Sequence, residues 1–354
     1  MSLSINCKIQ RGEFELCADI ALPERGITVL YGESGCGKTS LLRAIAGLDR
    51  HADTRIMFAD QVWQDEAVFV APYQRRIGYV FQEASLFSHL SVAQNIDYGR
   101  SRSAAAMHTP LAEIIRLLGL ETKLDQRPEQ LSGGERRRVA IARALASAPQ
   151  ILLMDEPLVS LDHARRMELM SYLEQVAMQS GLPMVYVSHA QDEVARLAHH
   201  VVMLQGGRVS GSGHAADVLT DLALAPAASP DAVSVVEGVL LEHDQQYGLS
   251  RVEFAGGVFS IPASPRAVGD KLRIQVAARD VSLALQAPEA SSILNVFAAR
   301  VVAIQGYDRS QVTVKLDCGG SALLARVTRK SMDRLKIAIG TQLMAQIKST
   351  ATLA

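Results

Sequence analysis

Residues 27–48 read ITVLYGESGCGKTSLLRAIAGL: a short β-branched run, a glycine-rich turn, then apolar residues three and four apart. That order predicts a strand, a loop and a helix in immediate succession. Gly32, Glu33, Ser34, Gly35, Cys36, Gly37, Lys38 and Thr39 fill the pattern G-x-x-x-x-G-K-S/T completely, and Ser40 leads into the helix. Glycines let backbone N–H groups curl around phosphate oxygens, and the helix N-terminus adds partial positive charge. Lys38 is expected to reach the β and γ phosphates, and the Thr39 hydroxyl to ligate Mg²⁺. A chain built this way is committed to an α/β sheet with its ligand at the carboxyl ends of the strands.

Further apolar runs fit buried strands: residues 78–81, 151–154, 184–187 and 201–204. Residues 91–148 read almost wholly as helix, so a helical subdomain (about 83–150) is expected within the sheet. Three of the runs end in chemistry. Asp155 and Glu156 follow the 151–154 run, Asp155 placed for the metal and Glu156 free to accept a proton from attacking water. Gln82 can touch both Mg²⁺ and that water, and His189 can hydrogen-bond the γ-phosphate.

Lys and Arg total 36 against 37 Asp and Glu, a net charge of −1. This balance gives no electrostatic footprint for DNA or RNA, and Arg136–Arg138 reads as a solvated helix face. Cys7, Cys17, Cys36 and Cys318 lie far apart without metal spacing, the pattern of a reducing cytoplasm. No secretory leader is evident, and nowhere do 18 apolar residues run together, so no membrane span is expected.

Residues 131–135 read LSGGE, a second glycine turn before a helix. By itself it is a helix start with a capping serine and glutamate. With the phosphate loop, Gln82, LLMDE at 152–156, SLD at 160–162 and His189, in that order, residues 1–220 resemble the ATP-binding subunits of ABC transporters. The resemblance implies ATP as the nucleotide and a head-to-tail pair with a second copy. Each ATP then lies between one copy's Gly32–Thr39 loop and Ser132, Gly133 and Gly134 of the other. Asp162 would communicate across that seam. Glu135 stands where glutamine is commoner, and Phe14 is the nearest candidate for the aromatic that stacks on adenine. With no span expected in the chain, a transport role requires a separate membrane pore, and Leu86, Phe87 and Leu90, next to Gln82, are expected in a groove that receives a short helix of it.

Residues 221–231, rich in Ala and Pro, read as a linker, so domains are expected over 1–228 and 233–354. Beyond it the hydrophobic period becomes two, as in Lys271–Val276, Gln311–Leu316 and Gln342–Ile347, which predicts an all-β, OB-like barrel tail divided near Pro288–Ser291. The part from about 289 to 352 resembles the Mop-like oxyanion barrel of molybdate importers, through SSILNVFAARVV at 291–302 and the stretch 325–350. Ser292, Asn295, Lys348 and Ser349 are candidate oxyanion donors. The family often has arginine just before the asparagine; here it is Leu294. The whole then implies a P-loop NTPase fold and an ATPase on the cytoplasmic face of the inner membrane. It would drive molybdate or tungstate import, with a permease and an external molybdate-binding protein as partners. Sulfate, iron or polyamine import are alternatives, as is a molybdate-storing regulator with a vestigial ATPase.

Overall fold

The computed structural model describes residues 3–101, 110–159, 161–288, 290–347 and 351–353, which form two compact units, 1–212 and 213–354. The first begins with β1 (Leu3–Arg11), β2 (Phe14–Leu22), β3 (Ile27–Tyr31) and α1 (Lys38–Ala46). Next come β4 (Thr54–Phe58), β5 (Gln61–Gln64), β6 (Ile77–Val80), α2 (Val92–Arg100), α3 (Leu111–Leu117) and α4 (Gly133–Ala146). It closes with β7 (Ile151–Asp155), α5 (His163–Ser180), β8 (Met184–Ser188), α6 (Gln191–Leu197), β9 (His200–Gln205) and β10 (Arg208–His214).

These strands make one ten-stranded sheet in the order β5-β4-β1-β2-β10-β9-β3-β8-β7-β6. From β9 to β6 the neighbours run parallel. Every residue of β7 and β8 is buried, as expected of strands covered on both faces. The mainly parallel sheet expected from sequence is therefore half of a mixed one. In the other half β1 pairs antiparallel with β2 and β4, and β4 with β5. β1 buries alternate residues, Leu3, Ile5, Cys7 and Ile9, so its signal is a period of two rather than an unbroken apolar run.

Register fixes where the chemistry lies. Tyr31 pairs with Ser188, Val187 with Asp155, and Met154 with Val80, so the loops after β3, β8, β7 and β6 leave one edge of the sheet together. The helices α2 and α4 open with capping boxes, Ser91 with Gln94 and Ser132 with Glu135.

The second unit starts with α7 (Ala215–Leu219) and α8 (Ala225–Ala228), then β11 (Val233–Asp244), β12 (Leu249–Phe254), β13 (Gly257–Pro262), β14 (Lys271–Ala277) and β15 (Val281–Ala284). β16 (Asn295–Gly306), β17 (Gln311–Cys318), β18 (Ser321–Thr328), α9 (Arg329–Leu335), β19 (Gln342–Ile347) and β20 (Ala351–Leu353) complete it. They form two five-stranded antiparallel sheets, β13-β12-β11-β14-β20 and β15-β19-β16-β17-β18.

Pro288 lies between β15 and β16, and the sheet that holds β16 also takes in β15 from before it. One core spans both sheets, and Phe297 of β16 packs on Phe254 and Phe259 with ring centroids 4.9 and 4.6 Å apart. Residues 221–231 are likewise no free linker. Pro226 and Ala227 are buried, and the Arg326 guanidinium donates to Ser229 O at 2.8 Å and Ala227 O at 3.2 Å.

Candidate nucleotide site

The glycine loop between β3 and α1 is built for close approach. A Cβ on Gly32 would lie 2.2 Å from Leu204 O, and Gly37 holds φ +105° at the cap of α1. Lys38 is buried, and its ammonium donates to Gly32 O and Glu33 O, both at 2.8 Å. The cation thus lies inside the loop's curl, where a phosphate oxygen can exchange with a carbonyl. Cys36 Sγ is 3.8 Å from the same ammonium, and all four cysteines are free thiols. Burial pushes Cys7 up to about 11 and Cys318 up to about 12, which marks these two as inert core groups.

Thr39 Oγ1 donates to Asp155 Oδ1 at 3.0 Å, joining the first turn of α1 to the end of β7. Burial raises the Asp155 carboxyl above its usual range, opposed by the Thr39 hydrogen bond. A hydroxyl, a carboxylate and the Gln82 amide oxygen are hard oxygen donors of the kind Mg²⁺ takes.

Gln82, Lys38, Thr39, Ser40 and Glu156 line one cleft of about 410 Å³, together with Ser34, Gly35, Gly37, Arg11 and Phe14. The loop residues, Gln82 and Glu156 are thereby brought together at the sheet edge, with Asp155 joined to them through Thr39. Phe14 reaches the loop, its ring 3.3 Å from where a Gly37 Cβ would stand. Arg11 has no motif around it; it is tied to Asp49, which in turn holds Arg43 at 2.8 Å.

Glu156 follows β7 with φ +45°, a left-handed backbone unusual for a glutamate. Its Oε1 is 3.2 Å from His189 Nδ1, which joins the ends of β7 and β8. Glu156 also walls a second cavity of about 220 Å³ with Leu158, Val159, Leu161, Arg166, Ser188 and His189.

Ser132, Gly133, Gly134 and Asp162 are not among the residues lining the first cleft. They cap other helices. Ser132 Oγ accepts from Glu135 N at 3.3 Å, while Ser132 N donates to Glu135 Oε2 at 2.7 Å. Gly133 is exposed with open space where a Cβ would stand. Asp162 Oδ1 accepts from Arg165 N at 3.0 Å at the head of α5. Ser160 lies outside the described residues.

The segment after Gln82 is fastened from two sides. Buried Asn95 accepts from Phe87 N at 2.9 Å and donates to Phe87 O, Leu90 O and Ser91 O. Arg143 donates to Ser85 O at 3.0 Å and covers the Phe87 ring at 5.2 Å. Leu86, Phe87 and Leu90 are half-buried, with Phe87 packed on Tyr98 at 4.4 Å. The arginine run is not wholly a solvated face: Arg138 pairs with Glu168 at 3.3 Å, and Arg137 and Arg138 are partly buried.

In the tail, Ser292 is exposed and Asn295 buried. Asn295 Nδ2 donates to Ser260 O at 3.0 Å, and its Oδ1 accepts from Ser260 N at 2.7 Å. The carboxamide bridges β16 to β13 through one N–H and its oxygen. Lys348 and Ser349 lie outside the described residues.

Residues 18–159 match the ABC transporter family, and residues 291–354 match the TOBE domain. The chain is 49% identical over 343 residues to the molybdenum import ATP-binding protein ModC of Aromatoleum aromaticum, covering 96% of this chain and 91% of that relative. It is 47% identical over 347 residues to ModC of Pseudomonas aeruginosa, covering 96% of each. Among solved structures it resembles a dimeric ATP-binding cassette in a post-hydrolysis state bound to ADP and Pi. That likeness has TM-score 0.52 and 26% identity, and covers 60% of this chain and 98% of the other.

Proposed function

Because this chain belongs to the ABC transporter ATPase family, we propose that it is the ATP-hydrolysing subunit of a molybdate importer. The observation that carries the reading is the convergence of Lys38, Thr39, Gln82 and Glu156 on one cleft, with Asp155 bonded to Thr39. The relatives' names supply the cargo. Tungstate, a tetrahedral dianion of the same shape, is the alternate cargo.

ATP lays its phosphates on the loop amides and the N-terminus of α1, with Lys38 against the β and γ oxygens. Thr39, Gln82 and Asp155 would hold Mg²⁺, which neutralises charge on the β and γ phosphates when bound. Water attacks the γ-phosphorus, the bond to the β–γ bridging oxygen breaks, and Glu156 takes the water's proton. ADP and phosphate leave. His189 holds the Glu156 carboxylate and faces the γ-phosphate.

A second copy completes the site with Ser132, Gly133 and Gly134. Ser132 Oγ uses a lone pair in the helix cap, and its O–H, which meets the Glu135 carboxylate, would turn to donate to an anion. Glu135 does not oppose that anion, because its charge is met by Ser132 N–H and by Lys123 at 3.2 Å. Asp162 stands on the same seam. Among the described residues no helix is long and apolar enough to cross a membrane, so translocation falls to separate permease subunits. We place the chain peripherally on the inner membrane, fed by an external molybdate-binding protein. The half-buried Leu86 and Leu90 flank the groove for a pore helix. Charged replacements at Leu86 that leave ATPase and uptake intact would remove that contact. Oxyanion regulation by the tail is not part of this reading, since Leu294 replaces the expected arginine and the Asn295 amide is engaged.

Uptake of labelled molybdate against sulfate by the assembled complex tests the reading, with Glu156→Gln as control. Molybdate is expected to be preferred, and Glu156→Gln to bind ATP while losing at least about 100-fold in kcat. Preference for sulfate would overturn the cargo; undiminished hydrolysis in the variant would overturn the base.

A further inference from the structure

His189 is presented by a turn rather than held by packing. Its side chain is 48% exposed, and its ring has Glu156 as a hydrogen-bond partner. What fixes the turn lies underneath. Glu193, in the first turn of α6, has a side chain only 7% exposed. Its Oε2 accepts from Tyr186 Oη at 2.8 Å and from Ser188 Oγ at 2.6 Å. Ser188 Oγ in turn accepts from Ala190 N at 3.0 Å. The carboxylate therefore holds Ser188 directly, and Ala190 on the other side of His189 through the Ser188 hydroxyl.

The other oxygen points elsewhere. Glu193 Oε1 pairs with Arg166 Nη2 at 2.9 Å, and the same nitrogen meets Asp192 at 2.8 Å. Arg166 belongs to the first turn of α5, its N–H bonded to Asp162 O at 2.9 Å. A buried carboxylate is costly unless each oxygen is satisfied, and removing a partner from such a pair is strongly destabilising. Here both Glu193 oxygens are met, at a place whose outward product is the pose of one half-exposed imidazole. Misplacing a reacting group by about 1 Å can cost about 100-fold in rate.

We propose that Glu193 is the positioning residue of the His189 turn, and that Arg166 ties that turn to the Asp162 end of α5. The proposal rests on the ATPase reading and deepens it: a shift of Asp162 at the seam is felt at His189 through Arg166, Glu193 and Ser188. Tyr186 completes the grip from β8, where its ring is wholly buried.

The test is a double-mutant cycle on the full chain with MgATP, reading kcat and KM separately. Glu193→Gln and Ser188→Ala are each expected to lower kcat about tenfold with KM changed less than twofold. In a His189→Ala background neither should lower the residual kcat further. Ser188→Ala deletes a single hydroxyl and carries the test if Glu193→Gln does not fold. Equal losses with and without His189, a change in KM alone, or unchanged kcat would each overturn the proposal. An unsubstituted chain that does not turn over ATP would instead refute the ATPase reading, and the positioning role with it.

Discussion

At the scale of single residues, Glu135 shows how a charge is tolerated beside the proposed anion site. The Ser132 backbone N–H, first, and then the Ser132 hydroxyl and Lys123 hold its carboxyl down at about 2. A carboxyl depressed by folding stabilises the native state above its unfolded value, and that stability is lost as pH falls toward the folded one. Glu135→Gln is therefore expected to lower denaturant stability at pH 7, by about 2 kcal/mol at most. The gap to the parent should narrow as pH falls from about 4.5 toward 2. A gap that does not move with pH would assign the loss to packing. Lys38 and Thr39 were legible in the sequence because a loop between strand and helix allows them one placement, and Asp155 because an apolar run ends at it. Arg11, Asn95 and Glu193 were not. A lone arginine, asparagine or glutamate has no periodicity, and its meaning comes from burial and partners far away in sequence.

At the scale of elements, α1 is anchored at both ends. Its N-terminus is the phosphate loop. At its C-terminus buried Arg75 donates to Ala44 O at 3.0 Å and Ile45 O at 2.8 Å, with further bonds to Val70 O and Trp63 O. Its side chain also lies over the Trp63 and Phe69 rings. Desolvation lowers the guanidinium to about 10. Arg75→Leu should destabilise the chain by about 3 kcal/mol or more, since four carbonyls each lose a hydrogen bond from a buried guanidinium. Thermal melting checks this, and a shift of under about 2 °C would contradict it. Helix α4 has a comparable duty toward the Gln82 segment. Arg143→Ala is expected to speed amide hydrogen exchange at residues 85–90 while leaving α1 unchanged. The buried parallel strands were readable as apolar runs. The antiparallel β1 and β2 were passed over because half of their residues face outward and dilute the signal.

At the scale of the whole molecule, each chain, in the proposed reading, supplies two halves of different sites. The loop, the β7 carboxylates and His189 converge on one sheet edge, whereas Ser132–Gly134 cap a helix whose exposed Gly133 has, among the described residues, nothing within 4 Å of where its Cβ would stand. The sequence order of these motifs made the family legible. That the second unit has one core across two sheets was not, because Phe254, Phe259 and Phe297 lie in separate runs whose pairing only tertiary packing decides. A site shared between copies means that neither half works alone. The direct measurement is ATP hydrolysis by Lys38→Ala and Ser132→Arg chains, separately and after mixing. Each alone should be inactive, and the mixture should recover activity, because every mixed dimer contains one pocket with both halves intact. No recovery on mixing, or full turnover by a strictly monomeric preparation, would contradict the shared site.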